Sequence, residues 1–259
     1  MMYKFIILAL NNTFIKRIIR KTNKLFGKES TYDNAKFVRK YTPNKSFADI
    51  GCLWGINGLN SFIAEESGAI KVMAVDIYPA NKEFLDEYKR RNSAVKFVQG
   101  DINLLETKNK IGVCDIVLCS GVLYHTPDPV HLLTRLRSIC KETLILNTSS
   151  IPDMFCVKNT AVFYPFLNKR QRKIWNRGIG SQKAITGPYE PEEGYGNWFW
   201  GMSPSCIESM LQCAGFEIKE RHISAFNSVF ICQTTKIQFI AESGEWNTPK
   251  DEKYREFRR

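Results

Sequence analysis

Asp49-Ile50-Gly51-Cys52-Leu53-Trp54-Gly55-Ile56-Asn57-Gly58 decides the fold, because the short run Ser46 to Ile50 stops at a glycine and a helical pattern starts just beyond it. Glycines at a strand-to-helix junction let the backbone turn sharply and come close to a ligand, and the first N–H groups of the helix have no intrahelical partner. Any nucleotide-containing cofactor suits that geometry. A tight turn also uses glycine without a ligand, so the loop needs support from its surroundings.

Working outward, short apolar or β-branched runs alternate with helical stretches. Strands are expected at Ser46–Ile50, Lys71–Asp76, Val95–Gln99, Cys114–Cys119 and Thr143–Asn147, with helices over about 57–66, 81–91 and 130–140. Such alternation predicts an α/β fold, a parallel sheet with helices on both faces. The nearly unbroken apolar run from Cys114 to Cys119 reads as a central strand buried on both sides. Ser203 before Pro204 is an N-cap followed by proline at the first helical position, and it opens a helix to about Cys213. Phe216–Arg221 and Val229–Gln233 then lie close enough to pair as an antiparallel hairpin. Between these ordered parts the alternation stops, and a structureless stretch of that length is unusual inside a compact domain. The expected organisation is therefore an N-terminal basic amphipathic helix and lid (1–45), a core (46–150), an inserted lobe with some local helix (151–202), the end of the core sheet (203–235) and a tail (236–259).

Acids at strand ends support the loop. Asp76 closes the second strand, where a carboxylate can accept from both hydroxyls of a ribose. Asp101 follows Gly100 after the third, placed with neighbouring Ile102 to meet an adenine edge. Ligands of open α/β sheets bind outside the carboxyl ends of the strands, and Asp49, Asp76 and Asp101 all fall there.

Together these residues resemble the class I S-adenosylmethionine-dependent methyltransferases, over about residues 46–233. The family's Asp-x-Gly-x-Gly-x-Gly opening is matched by Asp49, Gly51 and Gly55, with Leu53 in place of the middle glycine. The resemblance implies a Rossmann-like, seven-stranded, mostly parallel sheet with helices on both faces and an antiparallel terminal hairpin. It also implies S-adenosylmethionine as cofactor, with Asp76 and adjoining Ile77 at the ribose and Asp101 and Ile102 at the adenine. Ser120-Gly121-Val122-Leu123-Tyr124-His125-Thr126-Pro127-Asp128-Pro129 is similar to the segment after the fourth strand in small-molecule methyltransferases, and closer still to tRNA wobble-uridine carboxymethyltransferases. By that likeness Ser120 lines the cofactor pocket and Tyr124 or His125 faces the acceptor. A nicotinamide nucleotide is the competing cofactor, but a short-chain dehydrogenase, by family resemblance, needs a Tyr-xxx-Lys dyad well after the loop. Here Tyr32-xxx-Lys36 and Tyr41-xxx-Lys45 precede it.

A histidine whose ordinary pKa is about 6.5 suits general-base work, which makes His125 the candidate base; the alternative is a histidine bonded to backbone for loop shape. Acceptor choice falls to the inserted lobe. Tyr189, Tyr195, Trp198, Phe199 and Trp200 could stack on a ring or form the lobe's own core, and Arg170, Arg172, Lys173 and Arg177 could hold an anion or form a solvated face. The expected function is methyl transfer at O or N of a small molecule such as a sugar, glycan precursor or secondary metabolite. Alternatives are a tRNA-modifying methyl- or carboxymethyltransferase and a non-catalytic cofactor-binding partner subunit.

The net charge of +11 first suggests nucleic acid or an anionic surface. Residues 1–28 hold seven of those charges and no acid, so most of the surplus sits in one segment outside the cofactor fold. Its apolar run, Phe5 to Leu10, is too short for a bilayer span or a secretory core. It reads as a helix packed on the domain as a lid, or as a peripheral membrane or polyanion contact. The 8 cysteines form no Cys-x-x-Cys pair and read as core thiols of a cytoplasmic protein, and the 3 histidines have no zinc-site spacing, so no metal is expected.

Overall fold

A computed structural model of the chain describes residues 33–153, 157–172, 189–224 and 226–243. The expected basic helix of residues 1–28, Arg177 and the end of the tail lie outside the described residues.

Five parallel strands, β1 (Ser46–Ile50), β2 (Lys71–Asp76), β3 (Lys96–Gln99), β4 (Cys114–Ser120) and β5 (Cys140–Ser149), are joined to the hairpin of β8 (Phe216–Ile223) and β9 (Asn227–Thr234). The order across the sheet is β3-β2-β1-β4-β5-β9-β8, and β9 runs antiparallel to both neighbours. The order reverses between β1 and β4. The crevice outside the carboxyl ends of those two strands is where the sheet leaves room for a ligand.

Strand alternation sorts side chains onto two faces. Ala48, Ile50, Val117, Leu144 and Leu146 pack with Leu132, Leu133 and Leu136 of α5 (Pro129–Ile139) and Ile207 and Leu211 of α6 (Pro204–Cys213). Phe47, Val72, Ile116 and Ile145 pack on the other face with Phe37 and Val38 of α1 (Asn34–Tyr41) and Phe62 and Ile63 of α2 (Leu59–Glu66). The remaining helices are α3 (Lys82–Arg91) and α4 (Leu105–Ile111).

Local capping explains several boundaries. Ser203 accepts from Cys206 N and opens α6 at Pro204, as the sequence predicts. Asp128 accepts from His131 N and starts α5 at Pro129, one residue before the expected start. α5 stops at Ile139 because Cys140 is already extended as the first residue of β5, which is longer at both ends than the 143–147 expected. α2 begins at Leu59 rather than near 57, since Asn57 and Gly58 both take positive φ.

Gly58 is required twice over. Its φ is +79°, and a Cβ there would lie 2.4 Å from the Phe84 ring, itself packed on Phe62. A left-handed non-glycine residue costs about 1–2 kcal/mol and overpacking another 1–3 kcal/mol. Gly58→Ala is therefore expected to lose about 2–4 kcal/mol in urea denaturation; an unchanged midpoint contradicts this packing.

Within the expected lobe, β6 (Ala161–Phe163) pairs antiparallel with β7 (Trp200–Met202), and Pro191–Gly196 forms a 3-10 turn. Tyr124 from the loop after β4 packs with Ile151, Tyr164 and Trp198, so the lobe shares a small core with that loop. The seven described cysteines are free, all but Cys213 buried. Among the described residues no helix is long and apolar enough to cross a membrane.

Candidate functional site

A cavity of about 180 Å³ opens at the β1/β4 reversal. Gly51 begins its wall. With φ at +80° its N–H donates to Val75 O at 2.9 Å, and a Cβ would lie 2.4 Å from Val122 Cγ2. The turn from β1 is thus pressed against β2 on one side and the loop after β4 on the other.

Asp76, at the end of β2, is only 6% exposed and lines the cavity. Its Oδ2 accepts from Leu53 N at 2.9 Å and its Oδ1 from Tyr78 N at 3.0 Å. Burial pushes its pKa up, against the pull of those N–H groups. Each oxygen keeps a second acceptor site, which suits a ligand that offers hydroxyl hydrogens. Leu53 explains its own departure from glycine: its side chain is buried in the α2-side core, and the loop uses its backbone, the N–H donating to Asp76 and the carbonyl accepting from Ile56 N and Asn57 N.

Asp101 lines the cavity with Ile102 at the end of the neighbouring strand, where Gly100 N donates to Asp76 O at 2.8 Å. Asp101 Oδ1 accepts from Asn103 N, and its Oδ2 from the Tyr195 hydroxyl at 2.6 Å. Burial, then the bond to Asp101, pushes Tyr195 up to about 12, so this phenol stays protonated at neutral pH. The lobe is thereby strapped over the third strand's end.

The inner wall is aromatic. Leu123–His125 forms one 3-10 turn, which places Tyr124 and His125 side by side with ring centroids 4.3 Å apart, and Trp198 stands 4.0 Å from Tyr124. His125 Nδ1 lies 2.8 Å from the carbonyl of Asn197. A carbonyl can only accept, so Nδ1 carries hydrogen and the neutral ring keeps its lone pair on Nε2. Burial lowers the pKa of His125, favouring that neutral ring. Tyr124 is shifted the other way by burial and remains a phenol. Trp198 also lines the cavity, and its Nε1 is buried without a hydrogen-bond partner.

Of the expected site residues, Gly51, Asp76, Ile77, Asp101, Ile102, Ser120, Tyr124, His125, Tyr195 and Trp198 share this cavity. Asp49, Leu53 and Gly55 do not line it, nor do Tyr189 and Trp200. Tyr189 packs edge-on against Phe199, and Trp200 Nε1 donates to Pro127 O while its ring packs tilted against Phe163. Trp54, 71% exposed on the glycine loop, and half-exposed Tyr78 line the mouth and were not anticipated. Position alone could have found them, since each sits beside an expected ligand-binding residue.

Asp49 points the other way. Alternation puts it on the Phe47 face, under α2, where Ser61 Oγ donates to Oδ2 at 2.8 Å and Oδ1 has no partner. Burial, then the Asp76 charge, pushes it up to about 7. A raised carboxyl pKa means the native state keeps a proton the unfolded chain has lost, so this stability is full below about pH 4 and is lost as pH rises towards 7. Asp49→Asn is expected to match the parent near pH 4 and to exceed it by about 2–4 kcal/mol at pH 8. Melting curves across that range check this; a difference that does not grow with pH contradicts it.

Residues 48–145 match the family model described as methyltransferase domain. No match to a curated protein was found. The fold is similar to the N-terminal domain of EvdMO1 solved with S-adenosylhomocysteine bound, at TM-score 0.55 and 14% identity, covering 79% of this chain and 82% of that one. It is also similar to 1,6-didemethyltoxoflavin-N1-methyltransferase of Burkholderia thailandensis, solved with 1,6-didemethyltoxoflavin and S-adenosylhomocysteine, at TM-score 0.54 and 16% identity, covering 88% of each chain.

Proposed function

We propose that the chain, whose residues 48–145 match a methyltransferase-domain model and whose fold is similar to that of solved methyltransferases, moves a methyl group from S-adenosylmethionine to O or N of a small molecule. One observation carries this reading: two strand-end carboxylates, Asp76 and Asp101, meet an aromatic wall containing His125 in a single cavity. Carboxylates that only accept fit the ribose hydroxyls and the adenine amino group, and Gly51 keeps the first wall free of side chain.

S-adenosylmethionine, when bound, supplies an electrophilic methyl on a sulfonium. The chain's part is to hold the acceptor in line and dry, and here Tyr124, Trp198 and the strapped 195–198 segment enclose the inner end. His125, held by Asn197 O with Nε2 as the basic nitrogen, takes the acceptor's proton. Among the described residues the lining holds two carboxylates and no Lys or Arg, which favours an acceptor without phosphate and disfavours RNA.

Incubation with methyl-labelled S-adenosylmethionine and a cell extract tests the acceptor class. Label is expected in the small-molecule fraction and absent from nuclease-sensitive material; label carried mainly by RNA or protein overturns this reading.

A further inference from the structure

A file of side-chain amides crosses the carboxyl edge of the sheet and ends at the cavity. Asn227, the first residue of β9, donates Nδ2 to Asn147 Oδ1 of β5 at 2.9 Å. Asn147 donates Nδ2 to Asn34 Oδ1 at the start of α1, at 2.7 Å. Asn34 donates Nδ2 to Ser120 Oγ, the last residue of β4, at 2.9 Å. An amide offers one oxygen that accepts and one nitrogen that donates, so every link fixes the sense of the next. With the three amides oriented as they are in the structure, the file runs from Asn227 to Asn34 and delivers an N–H to Ser120.

That direction decides what Ser120 can do. Its hydroxyl accepts from Asn34, so its own hydrogen is free to donate elsewhere, and Ser120 lines the cavity. It also sits against the glycine turn, with its carbonyl 3.3 Å from where a Gly51 Cβ would stand. In the sheet order β1 separates β4, which ends in Ser120, from β2, which ends in Asp76, and the acids Asp76 and Asp101 themselves only accept.

We propose that Asn34 is a positioning residue that holds the Ser120 hydroxyl as a donor into the cavity, for a carboxylate oxygen in the amino-acid part of the bound cofactor. The inference rests on the cofactor reading above. It gives α1 a role in ligand binding besides packing Phe37 and Val38 on the sheet.

Asn34→Asp isolates the effect. Aspartate has nearly the same shape and still accepts from Asn147, but it cannot donate to Ser120; it draws the Ser120 hydrogen to itself and out of the cavity. A double-mutant cycle of Asn34→Asp and Ser120→Ala, read as calorimetric affinity for S-adenosylhomocysteine, separates this from structural damage and from the added charge. Each single variant is expected to bind about five- to tenfold more weakly, the worth of one hydrogen bond. In the Ser120→Ala background Asn34→Asp should change affinity less than twofold. Equal loss in both backgrounds, no loss on Asn34→Asp, or no loss on Ser120→Ala overturns the proposal. If Asn34→Asp does not fold, Asn34→Ala takes its place in the cycle, with a loss of about two- to fivefold that must vanish without the Ser120 hydroxyl. A wild-type chain that binds no S-adenosylhomocysteine overturns the cofactor reading instead, so the two failures are distinct.

Discussion

Asp76→Ala is expected to weaken S-adenosylmethionine binding by about 100-fold or more while the sheet stays folded. Two hydrogen bonds to a carboxylate contribute about 1.5–3 kcal/mol each, and tenfold in affinity is 1.4 kcal/mol, so losing the pair reaches two decades. The substitution also strips the acceptors from Leu53 N and Tyr78 N, which hold the glycine turn against β2. Asp76→Asn separates the two roles, since an amide oxygen can still receive one of those N–H groups. Calorimetric titration with melting curves alongside is the measurement. Wild-type affinity in folded Asp76→Ala means that the ligand does not meet this carboxylate.

His125→Ala is expected to cut turnover by about 10²-fold or more with affinity for S-adenosylhomocysteine changed less than twofold, because a positioned base contributes roughly 10²–10⁴-fold. The pH dependence has a definite sign. His125 works only when neutral, and burial holds its pKa below the ordinary 6.5, so wild-type turnover rises with pH and levels off below that value. The variant should lose that acid limb. Equal turnover, or an unchanged limb, leaves His125 as a residue that shapes the loop through Asn197 O.

Much of the scaffold is legible in the amino acids because burial on both faces leaves nearly continuous apolar runs, as in Cys114 to Cys119. The Ser203-Pro204 cap is equally plain. α1 is hidden by its position after the basic segment, although Asp33 caps it by accepting from Ala35 N. α4 is short, and its cap residue Leu104 makes no side-chain bond, so nothing in composition marks its start. Asp76 and Asp101 are legible as acids that follow strands, and both line the cavity. Asp49 was grouped with them by its place in the chain, yet strand alternation puts it on the Phe47 face beneath Ser61. The bonds from Tyr195 to Asp101 and from Asn34 to Ser120 join residues 94 and 86 positions apart, and only the folded topology brings such pairs together.

A crystal structure with S-adenosylhomocysteine tests the central claim most directly. It should show the ribose hydroxyls on Asp76, the adenine edge against Asp101 and Ile102, and the sulfur facing the wall of Tyr124, His125 and Trp198. A ligand seated outside this cavity, or inside it with Asp76 still bonded to Leu53 and Tyr78 alone, contradicts the account.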